Sequence, residues 1–275
     1  VDFTLSDASA TVTITEDETA SITVADASGA ETDGSIDVVV SMTPAADDTV
    51  TVAYTTADGT ADTGDYTTTA GTLTFAAGET SKTISVPVTA DSLAEVATET
   101  FLLQLSGEAG TPQKSLDDAS ATISLTSADS ASISIADASG AENDGTIVVT
   151  VTMAPAADSA ITVDFATDDG TATAGNEYTT QSGTLSFAAG ETSKTISLAV
   201  INDAIASLPS SALVIDLSNP TGTAIHSITD AQATVTIVSD DTASITIADA
   251  GATEGDGTVT VTVNMDIAAE TSVTV

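Results

Sequence analysis

The sequence contains no cysteine and no tryptophan, and it has one histidine and three basic residues among its 275 residues. Without cysteine, the chain forms no disulfides and no zinc–thiolate site, which leaves the redox compartment open. The one histidine, His226, lies in an expected loop, so serine or cysteine triads and histidine-based metal sites are out of reach. Aromatic residues make up only 3% of the chain, whereas sugar-cleaving enzymes need clefts usually rich in them. We therefore do not expect an enzyme.

The charge is almost entirely negative. Lys82, Lys114 and Lys194 stand against 41 acidic residues, for a formal charge of −38. Nothing in such a chain could neutralise phosphates, so nucleic acid is excluded as a partner, and an anionic membrane surface is disfavoured for the same reason. Apolar residues alternate with Thr and Ser, so no run approaches membrane-spanning length and no membrane insertion is expected. Hydrophobic residues make up 41% of the chain, which predicts packed cores rather than disorder.

Two long segments are nearly identical. GTLTFAAGETSKTIS at 71–85 returns as GTLSFAAGETSKTIS at 183–197. A period of this size, about 110 residues, is that of a folded sandwich domain rather than of a solenoid or propeller repeat. The sequence therefore predicts a tandem array, cut from a longer chain, that comprises the end of one unit (1–18), two complete units (19–129 and 130–241) and the start of a further unit (242–275).

Apolar residues with a period of two predict β-strands throughout, and helical periodicity is not convincing anywhere. Clusters rich in Gly, Asp and Asn, such as DASGAETDG, separate the strands. We predict an all-β chain of tandem seven-stranded immunoglobulin-like β-sandwiches. In the first complete unit, the seven strands include residues 22–24, 36–42, 50–54, 73–75, 84–88, 101–105 and 123–125.

Four motifs follow one another in the first complete unit. They are an E-x-D-G turn at 31–34, YTTADGTADTGDY at 54–66, GTLTFAAGETSKTI at 71–84 and DSLAEVATETFLLQLS at 91–106. In this order they resemble the Calx-beta domain, and the resemblance covers essentially the whole chain. That family was named for cytoplasmic regulatory domains of sodium/calcium exchangers, and it also recurs in arrays in extracellular matrix proteins and large bacterial surface proteins. The resemblance implies that Ca²⁺ binds at one end of each sandwich, where loops can supply the six to eight oxygens the ion prefers.

The resemblance also implies a set of metal ligands in each unit. The acidic loop of the first unit is one residue longer than usual in the family, and its closing acidic cluster is reduced to Ala128, Asp129 and Ser130. In the second unit the acidic loop is interrupted by Pro209, and we expect weaker calcium binding or a shifted site there. The implied ligands are Glu31, Asp58, Asp91, Glu95, Glu99 and Asp129 in the first unit, and Glu142, Asp169, Asp203, Asp240 and Asp241 in the second.

The second acidic loop has lost two carboxylates, because Ser207 and Ser211 stand where Glu95 and Glu99 would be expected. Another possibility lies at the unit boundaries, where one unit closes next to the acidic residues that open the following unit. Calcium there would fix the angle between neighbours. The boundary residues are Glu16, Asp17 and Glu18 with Asp26 and Glu31, and Asp129 with Asp137 and Glu142.

Two explanations without a metal compete with these sites. Aspartates in Asp-Gly turns commonly accept local backbone hydrogen bonds, and taken singly this is the better interpretation of Asp33, Asp62, Asp65 and Asp144. Alternatively, the acidic surface is an adaptation to high salt. The acidic cluster of the first unit favours metal instead, because like charges gathered at one end would repel without a cation. Its members are Glu31, Asp58, Asp91, Glu95 and Glu99.

From these features we expect a segment of a large secreted bacterial or archaeal surface protein, in which calcium stiffens a stalk of successive repeats. Its partners would be calcium ions and the neighbouring repeats of the same chain. A second possibility is a subunit of an extracellular filament, sheath or surface layer, in which like subunits pair through exposed strand edges. A third is a calcium-sensing regulatory module, which is disfavoured because an array this acidic and repetitive indicates length rather than switching.

Overall fold

The computed structural model describes residues 1–4, 9–13, 18–110, 113–270 and 272–274. The chain folds into two compact units. The first comprises Val1–Asp91 and Ala97–Ser127, and the second comprises Ser92–Val96 and Ala128–Val275. Within the described ranges, no helix is long and apolar enough to cross a membrane.

The first unit is built from two sheets. One sheet has the strand order β6-β3-β1-β8, and the other has the order β2-β9-β7-β4-β5. The strands are β1 (Thr19–Val24), β2 (Ala27–Ala30), β3 (Ser35–Thr43), β4 (Val50–Ala57), β5 (Ala70–Phe75), β6 (Ser81–Pro87), β7 (Thr98–Gly110), β8 (Gln113–Asp118) and β9 (Ser120–Thr126).

The core of the first unit lies between these sheets, because strand residues alternate between the two faces. Val38 and Val86 of one sheet and Val52 of the other have no exposed surface. Tyr66 and Phe101 add a stacked aromatic pair, with ring centroids 4.0 Å apart and an interplanar angle of 6°. Burial of this apolar surface is the main term that holds the sandwich together.

The second unit repeats the arrangement, with sheets β15-β12-β10-β17 and β11-β18-β16-β13-β14, and adds a two-stranded sheet β19-β20. Its strands are β10 (Ala131–Ile135), β11 (Ala138–Ala141), β12 (Thr146–Ala154), β13 (Ile161–Asp168), β14 (Ser182–Phe187), β15 (Ser193–Ala199), β16 (Ser210–Gly222), β17 (His226–Asp230), β18 (Gln232–Val238), β19 (Ile245–Ile247) and β20 (Val263–Met265).

A short piece of the first repeat belongs to the second unit. Within Ser92–Val96, Ala94 forms an isolated parallel bridge with Ala157, and the carbonyl oxygen of Glu95 accepts the N–H of Ile225 at 2.8 Å. Main-chain hydrogen bonds therefore hold the segment Ser92–Val96 within the second unit.

In the first unit, the described residues form nine strands between Thr19 and Thr126, two more than the seven predicted. The additional strands are β2 and β8. Only Ala25 and Asp26 separate β1 from β2, and the two strands lie in different sheets because the chain crosses from one sheet to the other there. The Asp26 carboxylate accepts the N–H of Thr122 at 2.7 Å and fixes this crossing. The four residues of β2 lack apolar alternation, so periodicity could not reveal the strand.

Candidate metal centre

The clearest acidic cluster lies at one end of the second unit. Glu142 begins a short 3₁₀ turn, Glu142–Asp144, between β11 and β12. Asp240 and Asp241 come one residue after the end of β18, which pairs in parallel with β11. Because parallel neighbours end at the same edge of a sheet, the turn after one strand meets the residues after the other. Oxygen atoms of all three carboxylates lie within 4.8 Å of one another.

Burial makes this cluster electrostatically costly. Glu142 is only 6% exposed, and its Oε1 atom and the Oδ2 atom of Asp241 are buried without a hydrogen-bond partner. Burial, together with hydrogen bonds to the carboxyls of Asp240 and Asp241, raises the pKa of Glu142 to about 7. In the absence of a cation, a proton is thus the species that relieves the repulsion.

The turn itself is fixed by local hydrogen bonds. The Asp144 carboxylate accepts the N–H of Ala141 at 2.9 Å, and Gly145 ends the turn with a φ of 74°, a left-handed conformation that favours glycine. Asn143 donates from its amide nitrogen to Asp240 Oδ2 at 2.5 Å. These bonds fix the turn that carries Glu142 beside the cluster.

In the corresponding turn of the first unit, the buried glutamate has a hydrogen-bond partner. Glu31 is 5% exposed, and its Oε1 atom accepts a hydrogen bond from the Ser127 hydroxyl at 3.0 Å. Ala128 stands in the sequence where the second unit has Asp240, so the closing segment has one carboxylate fewer.

The first unit has an acidic pair elsewhere. Carboxylate oxygens of Asp65 and Glu99 lie within 4.8 Å of each other, and Glu99 is 9% exposed. Asp65 also accepts the N–H of Asp62 at 2.7 Å, which is the turn-forming role expected from the sequence. Its closeness to Glu99 was missed, because that expectation considered only local hydrogen bonds.

Two predicted ligands accept hydrogen bonds from tyrosines of the core. Asp58 accepts the hydroxyl of Tyr66 at 2.6 Å, and Asp169 accepts the hydroxyl of Tyr178 at 2.6 Å. Burial and then these hydrogen bonds raise the pKa of both tyrosines to about 12. In each unit an Asp–Tyr pair therefore ties the Asp-Gly loop to the core.

The Asp-Gly loop of the second unit approaches β16 closely at Gly170. A Cβ atom at this position would lie 2.4 Å from the carbonyl oxygen of Ala212. The same oxygen accepts the N–H of Ala172 at 2.8 Å. Only glycine permits this approach without displacing the loop.

A family model for the Calx-beta domain matches residues 13–129 and again residues 125–242. The chain belongs to the Calx-beta family.

Several solved structures are similar to the chain. CBD12 from CALX1.2 is 19% identical, covers 78% of this chain and 98% of that chain, and gives a TM-score of 0.38. The calcium binding domain CBD12 of CALX1.1 is 18% identical, covers 78% and 99%, and gives a TM-score of 0.38. The apo-form Calx CBD1 domain is 27% identical, covers 40% and 98%, and gives a TM-score of 0.37. No curated protein matches the chain in sequence. The predicted class of tandem β-sandwiches is confirmed.

The other predicted Calx-beta ligands have varied environments. Asp91 is exposed, Asp129 is half-buried, and Glu95 is buried within Ser92–Val96 of the second unit. Asp203 is exposed and accepts the N–H of Ile205 at 2.7 Å. The possible boundary ligands Glu16 and Asp17 lie outside the described residues.

Two acidic residues near Glu142 were not expected as ligands. Glu177 lies one repeat period after Asp65, and each residue directly precedes the core tyrosine of its unit. Glu177 shares a cavity with Glu142, Asp203 and Glu270. The repeat period could have identified Glu177, since it places this residue opposite Asp65, whereas nothing in the sequence indicated Glu270.

Proposed function

We propose that the chain is a calcium-binding structural repeat region from the stalk of a large extracellular surface protein. The observation that carries the calcium assignment is the cluster of buried Glu142, half-buried Asp241 and exposed Asp240, in which two buried carboxylate oxygens have no hydrogen-bond partner. Buried polar atoms are rarely left unpaired in folded proteins, and a bound cation accounts for both.

The chemistry of the cluster selects a hard cation. Its donors are carboxylate oxygens, which suit Ca²⁺ or Mg²⁺ and not soft transition metals. Three carboxylates can supply up to about six oxygens, and calcium accepts six to eight in flexible geometry, whereas magnesium demands a near-ideal octahedron. Membership of the Calx-beta family supports the same choice, because the resemblance to that family implies calcium at one end of each sandwich. These considerations favour calcium.

The mechanical role follows from charge and repetition. The chain carries a formal charge of −38, and self-repulsion of this kind destabilises compact states unless cations offset it. Extracellular modules bind calcium with dissociation constants of about 10⁻⁴ to 10⁻³ M. At about 100 times the dissociation constant, calcium would stabilise a unit by about 2.7 kcal/mol, a large share of the roughly 5–15 kcal/mol typical of one domain.

Thermal unfolding tests the calcium assignment. We expect the melting temperature to rise between EDTA and millimolar CaCl₂, and to rise less in NaCl matched for ionic strength. An equal rise in both salts would support general charge screening, as in adaptation to high salt, and would contradict a specific site. An unchanged melting temperature in CaCl₂ would remove the structural role of calcium.

Solution scattering and size-exclusion chromatography test the stalk. A calcium-stiffened stalk predicts a monomer whose scattering curve differs between EDTA and excess Ca²⁺. Calcium-dependent oligomers would favour the filament or surface-layer alternative instead. Superimposable curves from a monomer in both conditions would contradict stiffening by calcium.

A further inference from the structure

A cavity of about 360 Å³ next to Glu142 collects carboxylates from separate parts of the second unit. Glu177 comes from the loop before Tyr178, Asp203 from the loop after β15, and Glu270 from the residues after β20. Asn176 and Ser207 add polar side chains to its lining, and no basic residue lines it. Four carboxylates with no Lys or Arg among them form a strongly negative pocket.

Glu270 belongs, in the sequence, to the repeat that follows. The main chain anchors it to the preceding repeat through Ala206, which forms a parallel bridge with Ala269. The N–H of Ala206 donates to the carbonyl oxygen of Ala268 at 2.8 Å, and the N–H of Glu270 donates to the carbonyl oxygen of Ala206 at 3.0 Å. These two bonds hold Glu270 at the cavity.

The same anchor occurs one period earlier. Ala94 corresponds to Ala206 in the preceding repeat, and it forms a parallel bridge with Ala157, which corresponds to Ala269. Its N–H donates to the carbonyl oxygen of Ala156 at 2.8 Å, and the N–H of Asp158 donates back to its carbonyl oxygen at 3.1 Å. An acidic residue therefore follows the bridge both times, as Asp158 and as Glu270. The repetition shows that the anchor is a regular feature of the fold.

One buried side chain of the cavity also points to a bound cation. Glu142 is buried, lines the cavity, and has an Oε1 atom with no hydrogen-bond partner. A carboxylate oxygen buried in this way, among other carboxylates, requires a cation or a proton to balance it.

We propose that Glu270 supplies a carboxylate ligand to the cation held beside Glu142, so that the segment 242–275 completes the cation site of the repeat before it. The proposal rests on the calcium assignment above and adds a ligand from the neighbouring repeat. Coupling of this kind is reciprocal: if docking of the next repeat strengthens cation binding by some factor, the cation strengthens docking by the same factor.

Glu270→Gln tests the proposal in the full chain, with Asp249→Asn as the matched control. Both changes remove one negative charge from the opening segment of the last repeat, but Asp249 does not line the cavity. In a Ca²⁺ titration of ¹⁵N-labelled protein, the amide of Asp241 reports on the site. We expect the midpoint in Glu270→Gln to rise about 10-fold or more, comparable to the loss of a supporting group at a metal site, and the control to titrate like the wild type.

Amide hydrogen exchange gives a second readout that a purely structural role would not produce. Ca²⁺ should slow exchange at the N–H groups of Ala206 and Glu270 in the wild type and in Asp249→Asn, and not in Glu270→Gln. If Glu270→Gln keeps the wild-type midpoint and the calcium-dependent protection, the proposal is overturned while calcium binding stands. If the Asp241 amide of the wild type does not respond to Ca²⁺, the calcium assignment at this site fails, and this proposal fails with it.

Discussion

Replacing Glu142 with glutamine should stabilise the second unit without calcium and reduce the stability that calcium adds. Glutamine has nearly the shape of glutamate and carries no charge. Glu142 is 6% exposed and lies with Asp240 and Asp241 in one cluster. Removing its charge therefore removes repulsion when no cation is present, and removes a ligand when one is.

The size of the calcium-free effect follows from the pKa of Glu142, which the fold raises from 4.5 to about 7. A carboxyl group with a raised pKa binds its proton more tightly in the folded state. Its contribution is therefore fully present below pH 4.5 and is lost as the pH rises through 7. At about 1.4 kcal/mol per pKa unit, the wild type should lose roughly 3 kcal/mol over this range in EDTA, and Glu142→Gln should not.

At pH 8 in EDTA, Glu142→Gln should accordingly be the more stable protein, by up to roughly 3 kcal/mol or about 10 °C in the melting temperature of the unit. Calcium should narrow this difference. The wild type gains about 2.7 kcal/mol when free Ca²⁺ is about 100 times the dissociation constant, whereas the variant has lost a buried ligand and gains less.

Hydrogen exchange with mass spectrometry measures this effect separately in each unit, using peptides from β12 and β18 for the second. Glu31→Gln is the control, because Glu31 accepts a hydrogen bond from Ser127 at 3.0 Å and faces fewer closing carboxylates. We expect its calcium-free effect to stay within about 1 kcal/mol. The reasoning would be refuted if Glu142→Gln were no more stable than the wild type in EDTA at pH 8. If calcium stabilised Glu142→Gln and the wild type by the same amount, Glu142 would not be a ligand.

Three further substitutions test neighbouring features of the second unit. Tyr178→Phe removes the hydroxyl that donates to Asp169 at 2.6 Å and should lower the free energy of unfolding by about 1–2 kcal/mol, measured by calorimetry. Ser211→Glu restores a carboxylate that the sequence lacks at this position; it should strengthen calcium binding in a titration, and Ser211→Gln should not. Gly170→Ala would place a Cβ atom 2.4 Å from a backbone oxygen of β16 and should lower the melting temperature by an amount corresponding to about 1–3 kcal/mol, whereas Gly251→Ala, with nothing within 4 Å, should change it little.

The sandwich could be predicted from the sequence because its strands alternate clearly. Every second residue of these strands is apolar, and such residues, for example Val38 and Val52, are fully buried. The period of two therefore indicated both the strands and the faces that form the core. The short β2 strand could not be predicted in this way. Its residues are Ala, Ser, Gly and Ala, and its pairing with β9 joins segments from opposite ends of the unit.

The metal ligands could be predicted only in part, because a cluster depends on distances that no local pattern encodes. Glu142, Asp240 and Asp241 were all expected as ligands, and the structure brings them together. Asp169 was expected as a ligand from the resemblance to the Calx-beta family, and the structure shows that it accepts a hydrogen bond from Tyr178. Glu270 reaches the cavity because of a backbone bridge in the tertiary structure, which its own sequence context does not indicate. Whether any of these residues binds calcium stays a prediction.

The bridge between Ala206 and Ala269 uses only main-chain groups. Any residue with a backbone N–H and carbonyl can form such a bridge, so the side chains at the two bridged positions are free to vary as long as they fit the space. The repeat at 130–241 and the segment at 242–275 can therefore drift apart in sequence and still keep this bridge. Such divergence is useful in a long array, because adjacent domains that are nearly identical tend to exchange strands and misassemble while they fold.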